Sequence, residues 1–460
     1  MSFPRYERYK ESGVNWLGEV PEHWTVERLK VVSNVFPSNV DKKEYEDEVP
    51  VRLCNYTDVY YNDIITDSIE FMKATASPQQ IEKFTLRAGD VVLTKDSETA
   101  DDIAKSAYVP TDLPGIVCGY HLSIARARSC TDGAYLKRVF DSHAIRAQAE
   151  VSANGLTRFG LSQSALDNIQ VPLPPPEEQR QIVRFLDMET TKIDVLIEEQ
   201  RRLIELLKEK RQAVISHAVT KGLNSSASMK SSDIEWLDNI PSHWDTRRIS
   251  MLRTKITNGY VGPTRDILVD QGIRYLQSLH IKGNTIQFDE PYYVREDWSN
   301  AHEKSILQNG DVLIVQTGDI GQVSVVPDEF AGCNCHALII VSPIRNIISG
   351  EWLSWVLSSD YGFHTLLSIQ TGAMHPHLNC GNVKNIFIPL PPLSEQQEIL
   401  EYLVSQLSSI DSLAAKVTRA ITLLQERRSA LISAAVTGKI DVRNHTADRH
   451  EETEAVYEPA

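Results

Sequence analysis

The sequence predicts an α+β protein in which two domains of mixed α/β structure are separated by two long helices, packed as an antiparallel coiled coil in a pseudo-two-fold duplicated chain. Three observations predict this fold. The stretch at 171–222 recurs at 388–439, and about 23 of its 52 residues are identical in the second copy. Each copy carries apolar residues at heptad spacing, and each follows a shorter repeated motif. A repeat of this size indicates one structural unit used twice.

Composition limits the possible classes of protein. A chain of 460 residues with 42% hydrophobic and 24% charged residues is typical of a soluble globular protein with two or three domains. It has no apolar run of about 18 residues and no signal-peptide core, so we expect no membrane partner. Six scattered cysteines favour a reducing cytoplasmic location. The net charge of -15 argues against a surface coated in nucleic acid but allows a local basic cleft.

The first repeated motif, W-L-x-x-[VI]-P-x-H-W, occurs at 16–24 and 236–244. We interpret it as a packed turn in which the tryptophans cover the joint between two elements. A ligand role for His23 or His243 is not favoured, because no other metal-binding residue types lie nearby in sequence.

Mixed segments follow at 33–170 and 253–387. Runs such as VPVRLCNY and GDVVLT predict strands, and DSHAIRAQAEVSAN predicts a helix. The motif L-x-x-G-D-V occurs in both segments, and we expect Asp90 and Asp311 within it to close turns. The two segments are similar in sequence at their ends and differ in their central parts, as expected if each central part recognises a different target.

The long repeat begins with P-L-P-P, which predicts a stiff extended connector. Pro176 is a plausible first helical residue, and Ser394 with Gln397 has the form of a capping box. Each helix should span about 44 residues, or roughly 65 Å at ~1.5 Å per residue. The connection after Gly222 is a polar linker too short to run back along such a helix, so we expect an antiparallel pair.

The heptad seam alternates steps of four and three residues along both helices. Arg211 and Arg428 occupy equivalent seam positions, either with their side chains reaching out to solvent or in a polar pair with Glu that fixes the register. The seam residues expected to form the coiled coil and to dock partners are Ile193, Ile197, Ile204, Leu207, Val214, Ile410, Val417, Ile421, Leu424 and Leu431.

These features divide the chain into six segments. The predicted boundaries are a first domain at 1–170, a first spacer helix at 171–222, a linker at 223–231, a second domain at 232–387, a second spacer helix at 388–441 and a disordered acidic tail at 442–460.

Motifs for catalysis are missing from the sequence. It contains no G-x-x-x-x-G-K-[ST], no G-x-S-x-G and no H-E-x-x-H. One group of thiols and imidazoles could be interpreted as a zinc site, but its spacing fits no standard structural site. We favour the interpretation that these residues are buried thiols and loop histidines. That group comprises Cys333, Cys335, His336, His375, His377 and Cys380.

Taken together, the motifs make the chain resemble a specificity subunit of a type I restriction-modification system. The resemblance rests on S-G-V-N-W-L-G-E-V-P-E-H-W and its second copy, on L-x-x-G-D-[IV]-[VL], and on P-L-P-P-x-x-E-Q with a heptad helix ending in A-x-[IL]-x-x-A-V-T-x-G. It covers the chain to about residue 442.

The resemblance implies a non-catalytic protein that recognises double-stranded DNA. Each of two target-recognition domains would read one half of a bipartite, asymmetric site, with the conserved helices acting as a ruler. The helices would also dock two methyltransferase subunits, and restriction subunits would complete the complex. S-adenosylmethionine, ATP and Mg²⁺ would belong to those partners, so no cofactor is expected on this chain. Two readers on one face of a duplex should sit about one helical turn, roughly 34 Å, apart.

Candidate DNA contacts come from polar turns that follow buried strands and are expected to be exposed, and from the loops before the long repeat. Base reading needs forked or paired donors and acceptors, whereas phosphate contacts need cations and hydroxyls. The candidates are Thr94, Lys95, Ser97, Asn154, Thr157, Arg158 and Ser162 in the first domain, and Gln316, Thr317, Gln370, Thr371, His375 and His377 in the second.

Two other functions remain open at this point. A self-sufficient nuclease or methyltransferase would need a cofactor motif, which the sequence lacks. A coiled-coil adaptor without nucleic-acid recognition would show no salt-dependent affinity for DNA, whereas phosphate contacts make affinity fall steeply with salt.

Overall fold

A computed structural model of the protein describes residues 3–372 and 374–444, and the chain divides into two compact units. The first unit contains Met1–Gln200 and Arg419–Ala460, and the second contains Arg201–Thr418. Each unit therefore combines one mixed α/β domain with the N-terminal part of one long helix and the C-terminal part of the other. The duplicated architecture predicted from the repeat is confirmed.

The first unit is built around two sheets. A four-stranded antiparallel sheet has the order β4-β11-β7-β9, and a three-stranded sheet has the order β10-β5-β6 with β10 and β5 parallel. Its strands are β1 (Tyr9–Glu11), β2 (Glu19–Pro21), β3 (Thr25–Arg28), β4 (Ser33–Pro37), β5 (Val49–Cys54), β6 (Met72–Ala76), β7 (Asp90–Thr94), β8 (Asp96–Ser97), β9 (Ser106–Tyr108), β10 (Ile116–Cys118), β11 (Leu122–Ala127), β12 (Phe159–Gly160) and β13 (Gln170–Leu173). Its helices are α1 (Leu29–Val32), α2 (Tyr56–Tyr61), α3 (Pro78–Phe84), α4 (Gly133–Phe140), α5 (His143–Ser152), α6 (Gln163–Asp167) and the start of α7 (Pro176–Lys221), with a 3-10 turn at Ala100–Asp102.

The second unit repeats this plan. The sheet β17-β26-β23-β24 corresponds to the first four-stranded sheet, and β19 pairs with β25 in parallel as β5 does with β10. Its strands are β14 (Met229–Ser231), β15 (Asn239–Pro241), β16 (Asp245–Arg248), β17 (Arg253–Asn258), β18 (Leu268–Val269), β19 (Ile273–Leu276), β20 (Ile281–Lys282), β21 (Thr285–Ile286), β22 (Tyr293–Val294), β23 (Val312–Val315), β24 (Val323–Val325), β25 (Asn334–Cys335), β26 (Leu338–Pro343) and β27 (Phe387–Leu390). Its helices are α8 (Ile249–Leu252), α9 (Glu296–Ala301), α10 (Gly350–Ser358), α11 (Asp360–Ser368), α12 (Cys380–Val383) and the start of α13 (Leu393–Val436), with 3-10 turns at Ser278–His280, Glu303–Ser305 and Asp328–Phe330.

The P-L-P-P connectors are strands rather than isolated extended segments. In the first unit β13 pairs antiparallel with β3, and in the second β27 pairs with β16 in the same way. Proline cannot donate to a ladder, so such pairing is confined to short or edge strands. Each pair holds the start of a long helix against its own domain.

Both long helices have close to the expected length, 46 residues in α7 and 44 in α13. The prediction that Pro176 opens the first helix is confirmed. The capping box at Ser394 is wrong, because α13 begins one residue earlier, at Leu393. Gln397 lies in the first turn, and its side chain donates to Glu401 instead of reaching back.

Within each unit the two helix segments run antiparallel, as predicted. In the first unit Asp194 accepts from Arg428 Nε at 2.9 Å, and in the second Asp411 lies 3.4 Å from Arg211 Nε. The two ion pairs are related by the 217-residue offset of the repeat. They confirm the polar-pair interpretation of the seam arginines, with Asp in place of the expected Glu.

The seam itself is packed. In the first unit the buried core contains Ile193, Ile197 and Leu431, with Ile421 and Leu424 packed against it. All ten predicted seam residues are buried or half-buried. This burial is consistent with packing between the helices, and such side chains offer little surface to a partner.

Two predicted boundaries change. The linker at 223–231 is not wholly irregular, because Met229–Ser231 forms β14 and pairs with β15. At the other end, Val442 is buried in the core of the first unit, so the packed chain extends past 441. The predicted tail beyond residue 444 lies outside the described residues. Within the described ranges, no helix is long and apolar enough to cross a membrane.

The W-L-x-x-[VI]-P-x-H-W motif is the packed turn that was predicted, and the structure adds its partner. Trp24 Nε1 donates to Glu178 Oε1 at 3.0 Å, and His23 Nε2 lies 2.8 Å from Glu178 Oε2. Tyr6 also donates its hydroxyl to this carboxylate, at 2.5 Å. Burial and the bond to Glu178 both raise the pKa of Tyr6, so the hydroxyl remains a donor.

The same joint recurs in the second unit. Trp244 Nε1 donates to Glu395 Oε1 at 3.0 Å, and His243 Nε2 lies 2.8 Å from Glu395 Oε2. Glu178 and Glu395 are the glutamates of P-L-P-P-x-x-E-Q, placed in the first turn of each long helix. The two repeated motifs thus bind each other within each unit, and a carboxylate in the first turn also suits the helix dipole.

Candidate nucleic-acid interface

In the first domain, the two loops predicted to contact DNA lie side by side. Strand β12, in the loop before α6, pairs antiparallel with β8 in the turn after β7. The backbone N–H of Leu161 donates to the carbonyl of Lys95 at 2.8 Å. Residues separated by about sixty positions in sequence therefore form one surface.

The second domain brings its two loops together in the same way. Thr371 and His377 exchange two backbone hydrogen bonds of 2.9 Å, as Asn154 and Gly160 do in the first domain. Leu378 N–H donates to the carbonyl of Gln316 at 2.9 Å. The positions in the loop before the long repeat differ by 217 between the domains, so this loop framework belongs to the repeat even where its side chains do not.

Not all candidates in the first domain are accessible. Thr94 is buried, and its hydroxyl accepts from Lys105 N–H at 3.0 Å. Ser97 is also buried. The expectation that these two residues are exposed is wrong, because Thr94 pairs with Leu122 at the end of β7 and Ser97 of β8 pairs with Phe159 of β12. Lys95 is half-buried, with Nζ 3.2 Å from the carbonyl of Ser38 and 4.6 Å from the centre of the Tyr120 ring.

The remaining candidates of that domain face solvent. Asn154, Thr157 and Arg158 are exposed on the loop before α6. Ser162 is exposed too, but its hydroxyl caps α6 by accepting from Ala165 N–H at 3.1 Å. This leaves Thr157 and Arg158 as the side chains of the loop best placed to reach a ligand.

In the second domain the candidates are a mixture of exposed and half-buried residues. Thr317, Thr371 and His375 are exposed, whereas Gln316, Gln370 and His377 are half-buried. Thr371 Oγ1 lies 3.2 Å from His377 Nε2. The side-chain oxygen of Gln316 is buried without a hydrogen-bond partner among the described residues.

A third loop, missed from the sequence, completes the site of the first domain. Residues 119–121 connect β10 to β11 and place Tyr120, which is exposed, beside Lys95. His121 Nδ1 lies 2.8 Å from Asp96 Oδ2 and 3.3 Å from a terminal nitrogen of Arg158. The sequence signal was an aromatic residue and a histidine immediately before a buried strand.

These loops form one wall of a cleft with a volume of about 1070 Å³. Helix α2 lines the same cleft through Tyr56, Tyr60 and Tyr61. Tyr60 donates to Asp102 Oδ2 at 2.7 Å, and this bond raises the pKa of Tyr60 to about 12. Such a cleft offers aromatic faces together with hydrogen-bond donors and acceptors, the groups with which proteins contact bases.

The second domain carries an aromatic cluster of its own on and around α9. Trp298 and His302 stack with ring centres 4.1 Å apart, and Tyr260 packs edge-on against both. Tyr275 and His336 adjoin this group, and burial lowers the pKa of His336. The two domains therefore present unlike chemistry on a shared framework.

The thiols and histidines considered for zinc do not come together. Across 3–372 and 374–444, no group of three or more His, Cys, Asp or Glu side chains is arranged to hold a metal ion. Cys333 and Cys335 are buried in one apolar cluster, as the favoured interpretation requires. Cys380 Sγ donates instead to Asn258 Oδ1.

Comparison with known proteins agrees with this architecture. The family model for the type I restriction modification DNA specificity domain matches twice, at residues 21–206 and 241–422. The chain is 23% identical over 456 residues to the type I restriction enzyme MjaVIII specificity subunit of Methanocaldococcus jannaschii, covering 96% of this chain and 98% of that protein. It is 26% identical over 316 residues to the EcoBI specificity subunit of Escherichia coli, covering 66% of each.

Two solved structures share the fold. One comes from a study of complex assembly and conformational transition of the type I R-M system, with a TM-score of 0.66, 18% identity, and coverage of 91% of this chain and 98% of that one. The other is the HsdS subunit from Thermoanaerobacter tengcongensis, with a TM-score of 0.52, 19% identity, and coverage of 92% and 98%. The two matched domains coincide with the two halves that carry the paired loops.

Proposed function

The chain belongs to the type I restriction-modification DNA specificity family, and on that premise we propose that its two target-recognition domains each read one half of a bipartite, asymmetric DNA site. The protein directs partner methyltransferase and restriction subunits to this site and performs no catalysis itself. S-adenosylmethionine, ATP and Mg²⁺ are then held by those partners.

One observation carries the proposal: equivalent loop positions of the two domains bear different side chains. Position 158 is Arg and position 375 is His, and the backbone carbonyls of Lys95 and Gln316 accept equivalent hydrogen bonds from their neighbouring loops. The Arg guanidinium offers the forked donors that pair with guanine, whereas an imidazole has no such fork. A shared framework with unlike side chains supports recognition of two different half-sites.

The loop candidates are proposed as the contact surface. Arg158 and Thr157 from the first domain, with Thr371 and His375 from the second, are exposed and suited to bases or phosphates. The acidic net charge does not oppose this, because the sequence from Lys105 to Arg158 is locally basic.

Partner docking is assigned to exposed leucines of the coiled coil, in place of the packed seam. Leu196 and Leu423 in the first unit, and Leu206 and Leu413 in the second, are each about half exposed. The 217-residue repeat relates Leu196 to Leu413 and Leu206 to Leu423. Two equivalent apolar patches support the docking of two copies of one partner, the methyltransferase subunit.

The proposal is tested by co-expressing the chain with its modification subunits in a host that lacks other DNA methylation, and mapping methylated adenines across the genome. A single bipartite motif with unlike halves is the expected result. A His375→Ala variant should relax bases in one half only. If methylation has no sequence motif, the proposal fails and a structural adaptor becomes the better interpretation.

A further inference from the structure

The short helix α2 belongs to the part of the first domain that differs from the second. In the first domain the strand β5 is followed by α2, whose sequence YTDVYY contains three tyrosines. In the second domain the equivalent strand, β19, is followed by the 3-10 turn Ser278–His280, which contains none. Recognition of two unlike half-sites requires elements that differ between the domains, and α2 is such an element.

Tyr61 is the tyrosine of α2 that faces solvent. It is 77% exposed, whereas Tyr56 and Tyr60 are half-buried. Its ring lines the same cleft as Thr157 and Arg158, two of the side chains proposed to reach DNA. Single exposed apolar side chains are ordinary on a protein surface, but this ring shares a cleft with candidate DNA contacts. A tyrosine ring can touch the methyl group of thymine, and its hydroxyl can bond to a base edge.

Contacts on several sides hold α2 in one position. Val59 is buried in an apolar cluster of the domain, and Tyr60 donates its hydroxyl to Asp102 Oδ2 at 2.7 Å. The ring of Tyr60 lies edge-on against that of Tyr61, with centres 5.0 Å apart. A side chain that is ordered before binding loses less conformational entropy when it contacts a ligand. Tyr61 is therefore presented on a supported helix.

Asp63, two residues beyond Tyr61, ties the end of α2 to the rest of the unit. Its Oδ1 accepts from Lys137 Nζ on α4 at 2.7 Å, and its Oδ2 lies 3.4 Å from a terminal nitrogen of Arg428 on α13. The Lys137 side chain is buried, and a buried cation requires acidic partners. Burial alone would raise the pKa of Asp63, but the charges of Lys137 and Arg428 lower this pKa, so the carboxylate stays ionised and keeps both contacts.

The second unit lacks an equivalent anchor. The repeat places Ser354 at the position of Lys137, and the Ser354 hydroxyl bonds to the side-chain oxygen of Asn284 instead of a carboxylate. Arg211, the equivalent of Arg428, has one acidic partner among the described residues, whereas Arg428 has two. The anchor at the end of α2 is therefore specific to the first domain, as is the helix that it holds.

We propose that α2 is a reading element for the first half-site, in which Tyr61 is a specificity-determining residue that contacts a base and Asp63 is a positioning residue that fixes α2. This rests on the proposed DNA-reading function and names side chains that act in it. Because α2 and its anchor have no counterpart in the second domain, their loss should affect one half-site only.

The test measures a specificity ratio for each half-site, defined as the affinity for the site mapped by methylation divided by the affinity for a duplex scrambled in that half-site. The complex with its modification subunits is titrated with labelled duplexes at one fixed salt concentration, because phosphate contacts make every affinity depend on salt. Tyr61→Ala should lower the ratio for the first half-site about fivefold or more, the usual effect of one mismatched base pair. The ratio for the second half-site should not change.

Variants of Asp63 separate positioning from folding. Asp63→Asn should lower the ratio for the first half-site about threefold, and the unit should stay folded because Lys137 and Arg428 each keep a second acidic partner. Asp63→Glu keeps the carboxylate and should retain most of the ratio. In a Tyr61→Ala background, Asp63→Asn should have a much smaller effect, because the side chain that it positions is missing. Tyr402→Ala, which removes an exposed tyrosine of α13, is the matched control and should retain both ratios.

The possible outcomes are distinct. If Tyr61→Ala weakens binding to every duplex equally, or leaves the first ratio unchanged, Tyr61 does not read a base and the proposal is overturned while the proposed function stands. If Asp63→Asn lowers the ratio equally with and without Tyr61, or reduces hydrogen-exchange protection throughout the unit, the positioning role is overturned. If the wild-type complex shows no specific binding, the proposed function itself fails.

Discussion

Substitution of Glu178 by Ala should destabilise the first unit far more than substitution of its repeat equivalent, Glu395, destabilises the second. The side chain of Glu178 is 6% exposed and accepts from three donors, whereas that of Glu395 is 26% exposed and has two. Truncation of Glu178 strands the buried donors of Tyr6 and Trp24. Each unsatisfied buried group costs about 1–3 kcal/mol.

The expected magnitudes follow from this difference. Loss of Glu178 should lower the free energy of unfolding of the first unit by about 3–5 kcal/mol, the cost of leaving the buried donors of Tyr6 and Trp24 without an acceptor. His23 adds little to this cost, because it is exposed enough for water to replace Glu178. Loss of Glu395 should cost about 1–2 kcal/mol, since water can reach the indole of Trp244 through the vacated site. Glu178→Gln keeps one acceptor and removes the charge, so its cost should lie between the two.

Native-state hydrogen exchange with peptide resolution is the suitable assay. It assigns protection to each unit separately, whereas a single melting curve of a two-unit chain has no unique unfolding free energy. Peptides from the first domain should lose protection in Glu178→Ala and keep it in Glu395→Ala. Equal losses in the two variants, or a loss below about 1 kcal/mol for Glu178→Ala, would refute the reasoning.

Two further predictions concern packing and docking. Gly133→Ala should destabilise the first unit by about 2–3 kcal/mol in denaturant titrations. A Cβ at this position would lie 2.1 Å from the carbonyl oxygen of Gly89, so the backbone would have to shift. A neutral effect would show that α4 can move freely. Leu196→Ser and Leu423→Ser should weaken association with one methyltransferase subunit by about tenfold, measured by sedimentation or calorimetry, while leaving the coiled coil folded. Unchanged association would show that the exposed leucines are not part of the docking surface.

The framework of the fold could be predicted from sequence because duplication and heptad periodicity are properties of the linear chain. The repeat indicated the two halves, the seam indicated the paired helices, and the short linker after Gly222 indicated their antiparallel direction. The role of E-Q in P-L-P-P-x-x-E-Q could not be found in this way. Gln179 accepts from Asp132 N–H at 2.8 Å and donates to the carbonyls of Cys130 and Pro174. Gln396 likewise accepts from Ser349 N–H and donates to the carbonyls of Ile347 and Pro391. The contacts of Gln179 with Asp132 and Cys130, and the equivalent ones of Gln396, join segments nearly fifty residues apart in sequence.

Only part of the candidate site could be predicted from sequence, because tertiary contacts determine which of its residues are exposed. Polar residues after a buried strand pointed to loops that the structure brings together, but Thr94 is buried at the end of β7 and Ser97 is buried where β8 pairs with β12. That pairing is a tertiary contact, and the local pattern of a polar turn carries no trace of it. Tyr120 and His121 were missed because their significance comes only from the proximity of Lys95, Asp96 and Arg158.

The two seam ion pairs constrain how the proposed spacing could vary. Asp194 and Arg211 are 17 residues apart on α7, and Asp411 and Arg428 are 17 apart on α13, since 211 − 194 = 428 − 411 = 17. This length corresponds to roughly 25 Å of helix at ~1.5 Å per residue. A seven-residue deletion between the pairs in one helix alone must break one of them, whereas matched deletions in both preserve both pairs and the heptad register. Only the matched double deletion should therefore yield an active complex with a shorter unread spacer and unchanged half-sites, and methylome mapping would show whether it does.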